Sequence, residues 1–244
     1  MTETNRAASG GWKTGAISAL AGLLVGGLGV GAYYGFRTPD RAATEQVVRE
    51  YILNNGEILP EAMERLQNRQ ASAAVSQNRA ALERPFHGAW AGAENGDVVL
   101  VQFFDYACGY CRTSNPDVER LLREDPRLKV VWRDYPVLGP ASEQAAVMSL
   151  AAAQAGRFRQ FHDRLYAGGR PTEATIAAAS QSAGVTGATL TPEVRAELQR
   201  NFELGRAIGA TGTPTWVVGD RVLQGAVGYE ALRDAVAAVR AARS

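Results

Sequence analysis

The sequence predicts an α/β fold: a mixed sheet with helices on both faces and an inserted helical subdomain, preceded by an N-terminal membrane segment and a helical extension. Three observations carry this. After residue 96 the pattern runs strand, helix, strand, a long helical tract, a hairpin and a closing helix, an order that builds one sheet between helical layers. The first of those strands lies in D-V-V-L-V-Q-F-F-D-Y-A-C-G-Y-C, residues 97–111. Its β-branched and aromatic run suits a central strand covered on both faces. Residues 16–36, finally, form an uncharged apolar stretch closed by Arg37.

Residues 1–15 are polar and read as a short cytoplasmic tail, with Arg6 and Lys13 as its basic groups. Roughly 21 residues at 1.5 Å each span the ~30 Å hydrocarbon core, so residues 16–36 read as a transmembrane anchor. Tyr33 and Tyr34 suit an interfacial position. Val30-Gly31-Ala32 offers a small-residue cleavage site, so a cleaved signal segment is the alternative.

Residues 37–84 form the helical extension. Val47, Val48, Tyr51 and Ile52 recur at helical spacing, and Asn54-Asn55-Gly56 closes that helix. Leu59, Met63 and Leu66 mark a second, with Pro60 near its start where the missing N–H costs nothing. An apolar patch followed by a polar stretch cannot bury itself in a core of its own. It packs on the next domain, pairs with another copy of the chain, or serves as a spacer. Arg84-Pro85 marks the boundary of the last domain, residues 85–244.

In that domain Asn95-Gly96 is a turn signal ahead of the first strand. A helix follows Cys111 through Val118, Leu121 and Leu122, with Pro116 expected to kink it. Residues 128–132 are the next strand. The helical insertion covers about residues 141–209, broken at Gly156, Gly168-Gly169-Arg170-Pro171, Gly184 and Thr191-Pro192, with Thr172 and Thr191 as N-caps. Residues 215–218 and 221–224 make a hairpin around Gly219-Asp220, and residues 229–240 a closing amphipathic helix. Trp132 and Trp216 read as core. His87 and His162 read as surface or packing residues.

Composition excludes several functions. The chain has 244 residues, a formal charge of +1 and 46% hydrophobic residues, so nothing electrostatic argues for a nucleic-acid partner. Two cysteines are too few for a disulfide scaffold at this length. With two histidines and no further cysteine, a four-ligand zinc site of soft ligands cannot be assembled. No metal and no cofactor are expected.

What remains is a redox dithiol. Cys108 and Cys111 stand two residues apart on a turn between a core strand and a helix, the C-x-x-C context of thiol–disulfide exchange. Exchange needs a thiolate, and the helix start that Cys108 occupies favours an anion. Cys108 is expected to be exposed at the turn, with Cys111 shielded one helical turn on and within bonding reach. Gly109 and Tyr110 tune the couple through the stability of the reduced thiolate.

Residues 97–240 resemble the DsbA family of thioredoxin-fold thiol–disulfide oxidoreductases. Four blocks carry the resemblance: F-F-D-Y-A-C-G-Y-C at 103–111, W-R-D-Y-P-V-L-G at 132–139, the helical insertion, and G-T-P-T-W-V-V-G at 212–219. The last block implies a cis proline, Pro214 after Thr213, whose backbone can pair with an extended substrate. Residues 47–66 are similar to the N-terminal region of the ScsC (suppressor of copper sensitivity) branch, which implies self-association through residues 40–84. Gln102 departs from the family: many relatives carry there an acidic residue that is thought to relay protons to the second thiol. Asp105 is the nearest alternative acid, or simply a polar residue ending a strand. The Gly109-Tyr110 pair also departs from the Pro-His of the most oxidising relatives, which implies a potential above thioredoxin's, about −270 mV.

The resemblance implies an extracytoplasmic enzyme that forms, reduces or isomerises disulfides in secreted proteins. It would be anchored in the inner membrane with its catalytic domain in the periplasm, or released there if residues 16–36 are cleaved. Its partners would be unfolded or misoxidised secreted proteins and a membrane protein that resets the dithiol. Two other functions compete: a copper handler holding Cu(I) between the two thiolates, and a holdase with idle cysteines.

Overall fold

In the computed structural model, residues 41–185, 187 and 190–243 are described. The chain divides into two compact units, Met1–Ala62 and Met63–Ser244. The predicted apolar segment 16–36 and the tail before it lie outside the described residues. Among the described residues no helix is long and apolar enough to cross a membrane.

In the first unit, α1 (Arg41–Asn54) buries none of its residues. Pairs four residues apart, Arg41 with Glu45 and Gln46 with Glu50, brace it. Val47, Val48, Tyr51 and Leu53 are all more than half exposed, so its apolar side has no cover from the described residues of the unit. The predicted stop holds, since Asn55 donates to the Tyr51 carbonyl and the helix ends. The next helix, α2 (Ile58–Glu83), starts two residues before Pro60.

The second unit is built on five strands: β1 (Trp90–Gly92), β2 (Val98–Phe104), β3 (Leu128–Asp134), β4 (Thr215–Val218) and β5 (Arg221–Gln224). Their order is β1-β3-β2-β4-β5, with β2 and β3 parallel and the other pairs antiparallel. This places β2 at the centre, and its buried run follows from that place. The hairpin β4–β5 falls where the pattern puts it. Strand β1 was not predicted; three residues are too few to show a period. Gly92 there has φ of +88°, and a Cβ would stand 2.2 Å from the Leu128 carbonyl oxygen, so only glycine fits.

Side-chain alternation divides the core in two. Leu100 and Phe104 of β2, with Trp132 and Trp216, face α3 (Gly109–Glu124), α8 (Gly228–Ala241) and the helical insertion. Val101 and Phe103 face α7 (Pro192–Ala207) and the end of α2. The insertion begins with α4 (Pro140–Gln154), α5 (Phe158–Ala167) and α6 (Glu173–Ala183). Thr172 and Thr191 cap α6 and α7 through their side-chain oxygens, as expected.

The last part of α2 belongs to this core, with Val75 and Leu82 buried beneath the sheet. Arg133 explains how the helix ends there. It is 2% exposed, and its guanidinium donates to the carbonyls of Ala81, Leu82 and Arg84 while meeting Glu197 at 3.0 Å and Asn201 at 2.8 Å. The otherwise orphaned carbonyls at a helix C-terminus thus receive a charged donor.

Candidate active site

The six residues singled out by sequence lie at the ends of three elements of the second unit. Strand β2 ends at Phe104, and residues 105–108 turn the chain into α3. Cys108 is the N-cap of that helix, with extended backbone angles, and its Sγ accepts from the Cys111 N–H at 3.4 Å. Gly109 and Tyr110 open the helix; nothing stands within 4 Å of where a Cβ on Gly109 would be, and Tyr110 is 69% exposed. Thr213 precedes β4, and its peptide bond with Pro214 is cis, as the family pattern implied. The Thr213 carbonyl lies 3.2 Å from Cys108 Sγ.

That contact corrects one expectation. Cys108 is not exposed at the turn but 6% exposed. The segment that covers it comes from 105 residues away, a distance no local pattern reveals.

The two thiols, both unbridged, are electrostatically unlike. Cys111 beside it is the largest influence on the Cys108 thiol, and with Thr213 and the N–H groups of Cys111 and Tyr110 it brings the pKa down to about 5 against the opposing effect of burial. Cys111 is fully buried, and burial first, then the Cys108 sulfur beside it, pushes its thiol well up. At neutral pH the pair is therefore one thiolate and one thiol.

Gln102 lies at mid-strand on the β2 face that carries the dithiol core. It is fully buried, and its Oε1 accepts from Trp132 Nε1 at 2.8 Å. Its Nε2 has no protein partner. An amide holding an indole is a structural use, and it supplies no titrating group.

The sequence offers Asp105 only as an alternative acid or a polar residue ending a strand. The structure makes it the junction of the site. Its Oδ1 accepts from Ala107 N–H at 2.7 Å and Ser142 Oγ at 2.7 Å, and its Oδ2 from Val137 N–H at 2.9 Å and Leu138 N–H at 3.0 Å. Its carbonyl takes the Cys108 N–H at 3.0 Å and the Tyr166 hydroxyl at 3.1 Å. The local half of this, an Asp bonding the N–H two residues on, is an Asx-turn that D-Y-A-C could have signalled. The rest is long-range and was not legible.

Behind the dithiol lies a buried chain of polar side chains. Tyr106 donates to Ser149 Oγ at 3.0 Å and meets His162 Nδ1 at 3.2 Å, and Ser149 donates to Asp134 Oδ2 at 3.1 Å. Burial pushes the Asp134 carboxyl well up and the His162 imidazole well down, so both favour their neutral forms. His162 is thus a packing residue, stacked among Phe104, Trp132, Phe158 and Tyr166. Among the described residues no three His, Cys, Asp or Glu side chains gather where they could hold a metal ion.

Comparison with known proteins agrees with this geometry. Residues 99–237 match the model of the DSBA-like thioredoxin domain. The chain belongs to the DsbA-like thioredoxin family. It is, accordingly, a thiol–disulfide oxidoreductase of that family. Residues 40–73 match the copper resistance protein ScsC N-terminal domain, which places the chain in the ScsC-like branch of the DsbA-like proteins. A linker-deletion mutant of ScsC from Proteus mirabilis is 30% identical, with a TM-score of 0.72 over 84% of this chain and 97% of that one. A periplasmic thioredoxin-like protein from Salmonella enterica serovar Typhimurium is also 30% identical, with a TM-score of 0.61 over 65% of this chain and 92% of that one. A 78-residue stretch is 35% identical to part of the Na(+)/H(+) antiporter NhaA 3 of Salinispora tropica, covering 31% of this DsbA-like chain. The chain spans only 12% of the length of that curated relative.

Proposed function

We propose that this protein exchanges disulfides with exported polypeptides, Cys108 acting as the attacking thiolate and Cys111 as the resolving thiol. The observation that carries this is the contrast between the two sulfurs: a Cys108 thiol lowered to about 5 at a helix N-terminus, and a buried Cys111 thiol pushed up beside it. The Cys108 thiolate attacks one sulfur of a substrate disulfide, the substrate S–S bond breaks, and one substrate thiolate departs. Cys111 then gives its proton to the departing sulfur and attacks Cys108 Sγ, closing the 108–111 disulfide and releasing the second substrate thiol. Run backward, the same steps oxidise a substrate dithiol. Gly109 and Tyr110 set the balance between the two directions, and the backbone at Thr213-Pro214 pairs with the extended substrate as a short added strand.

The catalytic domain works outside the cytoplasm, in keeping with its likeness to a protein described as periplasmic. Residues 16–36 anchor it in the inner membrane, with residues 1–15 on the cytoplasmic side, unless they are cleaved as a signal. A membrane protein resets the dithiol after each turnover. The apolar side of α1, exposed among the described residues, supports self-association through residues 40–84, and several dithiols held around one substrate favour isomerisation or reduction over oxidation. Copper handling is the second reading. The ScsC N-terminal match favours it, and it would use the two thiolates alone.

The test is a trap. Cys111→Ser should accumulate substrate proteins joined covalently through Cys108 in the periplasm, while Cys108→Ser should accumulate none. Complexes joined through Cys111 in the Cys108→Ser variant would reverse the roles.

A further inference from the structure

On the sheet face away from the dithiol, a cavity of about 350 Å³ lies between the end of α2, the turn after it and the first turns of α7. It belongs wholly to the second unit. Arg84, Arg133, Arg200, Glu193 and Glu197 line it, with Pro85 and Phe86 as apolar wall. The acceptors here are already occupied. Glu197 accepts from Arg133 at 3.0 Å on one oxygen and from Arg200 at 2.6 Å on the other. Glu193 meets His87 Nε2 at 2.9 Å with one oxygen and accepts from Gln154 at 2.6 Å with the other.

The donors are not all matched. Among the described residues the Arg84 guanidinium has no ion-pair or hydrogen-bond partner. Arg200 engages only one of its nitrogens, and Asn201 Nδ2, buried on the next turn of α7, has no acceptor. Arg133 is fully committed to Glu197, Asn201 and the α2 carbonyls, so it adds charge and no free N–H. Burial is what chiefly lowers the Arg133 guanidinium, and repulsion from Arg200 and Arg84 adds to it, so the three cations stand within reach of one another. Against two carboxylates they leave one positive charge over.

We propose that this cavity binds a small apolar monocarboxylate, its carboxylate held by Arg84 and Arg200 and its hydrocarbon part against Pro85 and Phe86. Unmatched donors call for an acceptor, and guanidinium forks suit a head with two oxygens. One surplus charge calls for one negative charge; a phosphate ester, at about −1.5 to −2, would leave the cavity negative. The apolar wall gives a hydrocarbon body somewhere to leave water. Arg84 and His87 are exposed, so the ligand enters directly from solvent. His87 has a φ of +43°, a region that a non-glycine residue holds only where its surroundings fix it. Its contact with Glu193 shapes that wall before a ligand arrives. The inference is independent of the redox reading, whose chemistry lies across the sheet.

Equilibrium dialysis of labelled benzoate against the full chain, at constant ionic strength, tests it. Benzoate should saturate one site per chain. Benzamide, which keeps the ring and lacks the charge, should compete about tenfold more weakly. Acetate, which keeps the charge and lacks the ring, should also compete about tenfold more weakly. Arg84→Ala removes an exposed side chain without a partner, so the fold should stand while benzoate binds about tenfold more weakly. Arg206→Ala, on the same helix but outside the cavity, should leave the affinity within about twofold. Uptake that does not saturate, or Arg84→Ala without effect, would overturn the proposal. Benzamide competing as well as benzoate would remove the anion, and phenyl phosphate competing better would remove the single charge; either overturns it too. Equal weakening by Arg206→Ala and Arg84→Ala would do the same, by reducing the attraction to overall charge.

Discussion

The two faces of the central sheet bury polar groups in opposite ways. On the dithiol face the buried chain behind the sulfurs is held neutral: Asp134 and His162 are shifted toward their uncharged forms, and Tyr106 and Ser149 link them. On the other face the buried group is a charge. Arg133 stays cationic, with burial bringing it down only to about 10, because Glu197 beside it favours the charge and Glu197 and three backbone carbonyls accept its N–H hydrogen bonds. The difference teaches what each face is for. A fixed charge in that chain would add to or oppose the thiolate, and Coulomb interactions in a low-dielectric core reach several ångströms. Keeping that layer neutral leaves the sulfur under the control of its own hydrogen bonds. Behind the sheet no such restraint applies, and a buried ion pair can be used to fix the end of α2 against β3.

This contrast predicts its own largest failure. Arg133→Met should lower the stability of the protein by about 3 kcal/mol, since it strips the α2 carbonyls and leaves Glu197 with only Arg200, at 2.6 Å, for a partner. Urea unfolding measures it. The Cys108 thiolate should titrate as before, because the change lies across the sheet. A loss below about 1 kcal/mol would mean the buried pair does little for α2.

A far smaller effect is expected on the dithiol face. Asp134→Asn replaces one neutral group by another of the same shape, and should cost under about 1 kcal/mol at neutral pH. Asp134 Oδ1 has no partner to lose. A loss above about 2 kcal/mol in the same unfolding experiment would show that Asp134 is buried as an anion and that the layer is not neutral.

Much of this was legible in the sequence, and the part that was not has a common cause. C-G-Y-C, the β2 run, the β4–β5 hairpin and the threonine caps are each written in consecutive residues, so local chemistry specifies them. The sequence pattern ends β3 at Trp132, two residues short of Asp134, because Arg133 and Asp134 look like the polar close of a strand. Each is buried only through partners far along the chain, Glu197 and Asn201 for one and Ser149 for the other. Asp105 was half legible for the same reason: its Asx-turn is local, while Val137, Leu138 and Ser142 reach it only after folding. Local sequence leaves Cys108 exposed at its turn, because the residue that covers it is Thr213, 105 positions on.

The most direct measurement is the ionisation of the two thiols in the reduced protein, by thiolate absorbance at 240 nm together with mapping of which cysteine an alkylating reagent modifies. One thiolate should form with a midpoint near 5, at Cys108, and Cys111 should remain unreactive through pH 9. By linkage, a thiol whose folded pKa lies below its unfolded value stabilises the reduced fold fully above the unfolded pKa, near 9, and loses that contribution as pH falls through 5. A single midpoint near 8 or 9, or equal alkylation of both cysteines at pH 7, would contradict the division of labour between Cys108 and Cys111.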